Sequence, residues 1–475
     1  MVDTLFLDDW DALTRERDTR FAATLDRVFA YHPFYKDLLA RAKLRRRDIK
    51  GVADLARLPV TTRKDYLENP HAFILTWPDA ATSDESSVWD VMYTSGPSGA
   101  PAPFASTSYD FVNILALNRN MLRLRGARED DRILNLFPLT RHPHGAFART
   151  MNAAAAFNLP VIAAMPGAPN ARQPDIGNAL DQVLEIAQQT RPTILWGVPS
   201  YIRELVARAA EKGVKLPWVR LVFASVDGFG EGMRADLAAD LRRVGAEDPQ
   251  VSVSYGASEM QGSMVECARG TGFHNPAPDQ FCFEVVDPDT HKPLEDGEEG
   301  LLLLTHLDRR GTVMLRYATG DMGRLTRERC PHCGALTERI IGQPSHHDGF
   351  VKVAGRLIDP QALADLLLAT DEVADFQAVV EYEDKPDGGV GGSGIRGGGV
   401  GGKGAGKNAV RDRLRIRVAP TGPGLAGLSK MLAEHVEAVF EVRPLIELTS
   451  AQDPMLAGRG WRVRPLLDLR KKKRP

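Results

Sequence analysis

Apolar positions change their spacing from region to region along the chain, and each spacing predicts an element. Within residues 11–45, Phe21, Leu25, Val28 and Phe29 recur at near-helical intervals, and Pro33 interrupts the run. Asp54-Leu55-Ala56-Arg57-Leu58-Pro59 predicts a helix stopped near its proline, after which a threonine of the Thr61-Thr62 pair caps another. Val88-Trp89-Asp90-Val91-Met92 alternates as a strand does. From 105 to 240, short apolar runs alternate with helical stretches. Ile133-Leu134-Asn135-Leu136-Phe137, Thr193-Ile194-Leu195-Trp196 and Leu221-Val222-Phe223-Ala224 read as buried strands. Leu180, Val183, Leu184 and Ala187 share a helical face, with Asn178 as the expected cap. This alternation predicts an α/β sheet with helices on its faces.

The pattern changes past residue 280. Glu284-Val285-Val286-Asp287 and Gly300-Leu301-Leu302-Leu303-Leu304, with a turn at Glu295-Asp296-Gly297, predict a β-rich subdomain. After Gly342 a new unit begins with the strand Phe350-Val351-Lys352-Val353, a turn at Gly355 and a helix from about Pro360. Two strands, at 376–381 and 413–418, flank 388–406, which is mostly glycine and predicts a flexible loop. A helix near 428–440 follows, and the basic run Arg470-Lys471-Lys472-Lys473-Arg474 reads as a solvated end.

A chain of 475 residues exceeds one ordinary core, so at least two domains are expected. The hydrophobic share of 43% supports a globular protein, and the formal charge of −2 argues against nucleic acid or an anionic membrane as partner. No leader is read at Met1-Val2-Asp3-Thr4, and no apolar stretch approaches the roughly 20 residues that span a bilayer. Four cysteines, two of them in a CxxC, fit a reducing cytoplasm.

Four stretches carry candidate chemistry. In Tyr93-Thr94-Ser95-Gly96-Pro97-Ser98-Gly99-Ala100-Pro101, glycines let backbone N–H groups approach an anion and hydroxyls add donors. Such a loop suits a polyphosphate, or is an ordinary surface turn. Ser254-Tyr255-Gly256-Ala257-Ser258-Glu259 offers a flat ring for stacking and a carboxylate suited to Mg²⁺, or is a strand-ending turn with an exposed Glu. Arg316-Tyr317-Ala318-Thr319-Gly320-Asp321 ends in a carboxylate after a turn glycine. Cys330-Pro331-His332-Cys333-Gly334 aims two thiolates at one point, which is half of a zinc site or a pair of reduced thiols. His144 follows a strand, in a loop where a substrate could sit, or is a structural histidine.

In this order the motifs resemble those of the adenylate-forming enzymes, in the branch of the phenylacetate–coenzyme A ligases. Their phosphate loop commonly reads Ser-Ser-Gly-Thr-Thr-Gly-Lys-Pro. This chain keeps Ser95, Gly96, Ser98, Gly99 and Pro101, with Pro97 for a Thr and Ala100 for the Lys. Tyr255, Gly256, Ser258 and Glu259 match the Tyr-Gly-x-Ser/Thr-Glu phrase residue for residue. The resemblance implies a large N-terminal domain of α/β sheets with a β-rich subdomain over 1–342, and a small mobile α+β lid over 343–475. It implies ATP held by Thr94, Ser95, Gly96, Ser98, Gly99, Tyr255, Gly256, Ser258, Asp321 and Arg339. Tyr255 would lie against adenine, Asp321 would bind the ribose hydroxyls, and Glu259 would hold Mg²⁺. Gln343 replaces the usual arginine before the hinge, for which Asp348 is the candidate. Arg459 falls where the family's lid lysine is expected, with Arg462 matching its arginine. Relatives in this branch commonly pair a Cys and a His with the later CxxC, implying a structural zinc site of Cys267, His274, Cys330 and Cys333.

The implied reaction is ATP-dependent activation of a small carboxylic acid, aromatic acids included, through an acyl-adenylate. The acyl group then passes to a thiol, in most relatives coenzyme A, with an amine or a carrier-protein thiol as other acceptors. His144 is the substrate-side candidate, and a homodimer is left open. The departures at Pro97, Ala100, Gln343 and the hinge support a competing reading, a nucleotide- or acyl-binding partner protein that has lost catalysis.

Overall fold

In the computed structural model, the structure describes residues 3–77, 82–93, 102–139, 145–167, 177–225, 231–346, 351–353, 356–382, 412–422, 427–450, 453–457 and 465–472. The chain divides into two compact units, Met1–Asp348 and Gly349–Pro475. Among the described residues no helix is long and apolar enough to cross a membrane.

The first unit opens with the helix Trp10–Tyr31, followed directly by the helix Pro33–Arg41. Pro33 sits at the first turn of the second helix, where its missing N–H costs nothing. The buried His32 caps that helix by accepting from the Tyr35 N–H through Nδ1. Thr62 caps Arg63–Glu68 in a reciprocal capping box with Asp65, while the expected helix before Pro59 is a 3-10 helix, Val52–Arg57. Phe21, Leu25, Val28, Tyr35 and Leu39 pack with Phe73, Phe104, Leu315 and Tyr317 into one core. The N-terminal helices thus brace the segment that carries Tyr317.

Strands β1 (Val88–Tyr93) and β2 (Pro103–Thr107) form an antiparallel hairpin. The remaining strands of the unit make one sheet. These are β3 (Ile133–Leu136), β4 (Val161–Ala163), β5 (Ile194–Gly197), β6 (Leu221–Ala224), β7 (Gln250–Ala257), β8 (Gly262–Val265), β9 (Phe273–His274), β10 (Phe281–Val286), β11 (Glu299–His306), β12 (Tyr317–Thr326) and β13 (Arg339–His346). Their order is β10-β11-β12-β13-β9-β8-β7-β6-β5-β3-β4. From β4 to β7 neighbours run parallel, and β3, β5 and β6 are buried along their whole length between covering helices, which is why they read as unbroken apolar runs. From β7 to β10 every pairing is antiparallel.

β7 is where the two halves meet. Its first residues, Gln250 to Val253, pair with β6, and Ser254 to Ala257 pair with β8. The sheet therefore changes character at the Val253–Ser254 step, just before Tyr255 and beyond the C-terminal ends of the parallel strands, where open α/β sheets place their ligands.

Expectations of a helix cap and of the unit boundary need correcting. Asn178 does not cap Leu180–Thr190. Its Nδ2 donates to the Ala164 carbonyl at 2.8 Å, and Gln182 instead accepts from the Ala179 N–H at 2.9 Å. The boundary between units falls after Asp348 rather than at Gly342, because β13 runs through Gly342 and still pairs His346 with Asp321.

In the second unit, β14 (Val351–Val353) and β15 (Arg356–Ile358) form a hairpin. β16 (Val373–Tyr382), β17 (Asp412–Pro420), β18 (Leu445–Leu448) and β19 (Leu466–Asp468) make a sheet in the order β18-β17-β16-β19. Helices Pro360–Leu368 and Leu428–Phe440 bury Leu363, Leu367, Leu432 and Val436 in a core with Leu414, Ile416 and Val418. The basic end is not wholly solvated. Arg470 folds back on Asp412 at 2.8 Å and Asp468 at 2.9 Å, since a strand, β19, precedes it and fixes its place.

Candidate functional site

The Tyr255–Glu259 phrase occupies the end of β7 and a 3-10 turn, Ser258–Met260. Gly256 is required by packing, since a Cβ there would lie 2.4 Å from the Ser263 Oγ and 3.0 Å from the Gly262 carbonyl. Asp321 sits on β12 after Gly320, whose φ of +84° suits glycine, and its N–H donates to the Thr319 hydroxyl at 3.1 Å. The Tyr255 hydroxyl donates to the Asp321 carboxylate at 2.7 Å. Two motifs 66 residues apart are thereby joined at one point. Burial, then the Asp321 charge, pushes the Tyr255 phenol well above its ordinary range, so it stays a donor.

Glu259 is buried. Burial raises its carboxyl, opposed by its own backbone N–H, by Tyr317 and by Arg63. The Tyr317 phenol is in turn pushed up by burial and by the Glu259 charge. A carboxylate held in this way gains by meeting a cation. The turn is gripped from both ends. The His306 Nε2 donates to the Glu259 carbonyl at 3.0 Å, and Gln261, in left-handed conformation, donates from its side chain to the Ser258 carbonyl at 2.5 Å. Arg149 donates to Gln261 and pairs with Asp90 of β1 at 2.7 Å.

A second cluster lies in the same unit. Cys267 and His274 come from the end of β8 to β9, and Cys330 and Cys333 from the connection between β12 and β13. β9 pairs with both β8 and β13, His274 facing Val265 and Arg339, and this brings the two loops together. One ligand atom from each of the four residues lies within 4.8 Å of every other. Cys267 and Cys330 sulfurs are 3.7 Å apart, and Cys333 Sγ is 3.5 Å from His274 Nε2. A tetrahedron with Zn–S near 2.3 Å has S–S edges of about 3.8 Å, so the donors fit that ion. The His274 Nδ1 donates to the Val265 and Gly272 carbonyls, each at 3.1 Å, which leaves Nε2 as the lone pair facing the sulfurs.

Arg339, expected at the nucleotide, donates instead to the Thr271 carbonyl at 2.6 Å and the Glu328 carbonyl at 3.2 Å, bracing the two loops of the cysteine cluster. Its place on β13 opposite His274 dictates this. The structure thus gathers Tyr255, Gly256, Ser258, Glu259 and Asp321 in one place and the four metal-ligand candidates in another. Thr94, Ser95, Gly96, Ser98, Gly99, His144, Asp348, Arg459, Arg462 and the 388–406 run lie outside the described residues. Sequence reasoning missed His306, Arg149 and Gln261. The one signal was a polar residue closing the apolar run of β11 at His306.

The AMP-binding enzyme family matches residues 31–317, and the chain belongs to it. Within the adenylate-forming superfamily it falls in the phenylacetate–coenzyme A ligase-like branch. It is similar to the phenylacetate–coenzyme A ligase of Thermus thermophilus, 27% identical over 390 residues, covering 80% of each chain. The Escherichia coli phenylacetate–coenzyme A ligase is 25% identical, covering 78% of this chain and 79% of that one. In fold it is similar to a 2-hydroxyisobutyryl-CoA ligase solved in the postadenylation state, with a TM-score of 0.77, 18% identity, and coverage of 98% of this chain and 92% of that one.

Proposed function

We propose that this protein activates a small carboxylic acid with ATP and passes the acyl group to a thiol, coenzyme A being the acceptor that its similarity to phenylacetate–coenzyme A ligases supports. In the first step a carboxylate oxygen bonds to the α-phosphorus of ATP and pyrophosphate leaves. In the second, the thiol sulfur bonds to the acyl carbon and loses its proton, while AMP departs with the oxygen that joined it.

The observation that carries this reading is the Tyr255 hydroxyl on Asp321 at 2.7 Å, beside the buried Glu259. Tyr255 offers its ring to adenine and orients Asp321, whose carboxylate accepts from the ribose hydroxyls. Glu259 takes Mg²⁺, which when bound neutralises charge on the phosphates. Thr94, Ser95, Gly96, Ser98 and Gly99 supply donors to the phosphates, His144 meets the acid, and Arg459 with Arg462 answers charge at the α-phosphate. Cys267, His274, Cys330 and Cys333 hold a structural zinc that pins two loops of the antiparallel half.

A pyrophosphate-release screen over a panel of carboxylic acids, aromatic acids included, tests the reading. We expect acid-dependent release that Asp321→Ala abolishes, with weaker ATP binding by calorimetry. ATP binding without release for any acid would instead favour a partner protein that has lost catalysis.

A further inference from the structure

His306 ends β11 and is fully buried. Its Nδ1 accepts the Met314 N–H at 3.0 Å, so that nitrogen carries the lone pair, and the proton sits on Nε2, which donates to the Glu259 carbonyl at 3.0 Å. The rings of Phe281 and Phe104 stand against it at 5.6 and 6.0 Å, both in edge-on contact. Phe104 lies on β2, just after residues 94–101 in the sequence. One imidazole therefore touches β2, the Glu259 turn and the segment leading to Asp321.

A three-residue 3-10 turn has few bonds of its own and is easily reshaped. A donor fixed on the carbonyl of its central residue sets where that residue's carboxylate is aimed. We infer that His306 is a positioning residue for Glu259, acting through the Nε2 bond, so that its removal loosens the Mg²⁺ site rather than the nucleotide site. This rests on the reading of Glu259 as the Mg²⁺ ligand. Partners that orient a metal ligand commonly contribute about tenfold to a hundredfold in metal affinity.

Two substitutions separate the nitrogens. In His306→Asn the side-chain oxygen can take the place of Nδ1 and keep the Met314 bond, while the donor to Glu259 is lost. In His306→Gln the amide nitrogen can reach the place of Nε2 and keep the donor. The measurement is ATP affinity by calorimetry with and without Mg²⁺, beside the Mg²⁺ dependence of adenylate formation. We expect His306→Asn to lose about tenfold or more of the Mg²⁺-dependent gain in ATP affinity, with metal-free affinity within about twofold, and His306→Gln to restore most of that gain. Equal effects of the two variants, or an unchanged gain in His306→Asn, would overturn the inference. Glu259→Gln is the control. If it leaves the Mg²⁺ dependence intact, the metal role of Glu259 itself is wrong and the inference falls with it.

Discussion

The guanidinium of Arg125 is buried, and none of its three nitrogens has a hydrogen-bond partner among the described residues. It lies 4.4 Å from the ring centre of Phe223 and 5.6 Å from that of Trp196. Burial pulls it down to about 9, against the raising effect of Glu266. Attraction to a ring face contributes about 0.5–2 kcal/mol, less than a buried charge costs. Arg125→Met should therefore raise the unfolding free energy by about 1 kcal/mol or more, measured by urea denaturation. His32 gives the pH counterpart. Burial lowers its pKa from 6.5 to about 4, against the bond to the Val313 carbonyl. Between those values the unfolded chain takes up a proton that the folded chain resists. Stability is full above 6.5 and falls toward pH 4, by about 3 kcal/mol for this group. Thermal unfolding from pH 7 to 4 should show a shallower loss in His32→Asn than in the parent. At this scale the sequence named Tyr255 and Asp321 separately. Their bond is a contact between strands that are not neighbours in the sheet, which no local pattern records.

Elements were legible where one face is buried. β17 alternates Leu414, Ile416 and Val418 inward with Arg415 and Arg417 outward on Glu381, Glu447 and Asp453, as a half-covered strand must. The cap of Leu180–Thr190 departs from the local rule because Asn178 finds a tertiary partner in Ala164, which sequence spacing does not encode. The cysteine cluster was half visible. The CxxC announces itself by spacing, whereas its bond geometry depends on β9 lying between β8 and β13. A closed site predicts about one zinc per chain by elemental analysis. Cys330→Ser should lower both zinc content and melting temperature, because bound structural metal contributes directly to folding free energy. A stable protein without zinc would remove the metal from this account.

Each of the two units carries its own core, the first around Phe21, Tyr35 and Phe73 and the second around Leu363, Ile416 and Leu432. Glu259 and Asp321 belong to the first unit, and Arg459 to the second. A chain ending after Asp348 should therefore keep AMP binding within about threefold. Adenylate formation in a single turnover should fall by about 10²-fold or more, the usual consequence of losing one aligned donor. Arg459→Ala in the full chain should give the same loss. An unchanged rate there would remove Arg459 from the chemistry.

By itself the sequence determined the alternation of buried strands and helices, the later β-rich stretch, the second unit and the order of the motifs. Apolar spacing and turn residues act over a few positions, and that reach suffices for them. Only the tertiary structure decided which motifs meet. The switch from parallel to antiparallel pairing at β7 sets Tyr255 against Asp321, and the end of β11 sets His306 under Glu259. It also drew Arg339 to the cysteine loops, because its neighbour across the sheet is His274 and not Asp321. Those outcomes depend on strand order, and strand order is settled by burying the whole sheet at once rather than by any single stretch of chain.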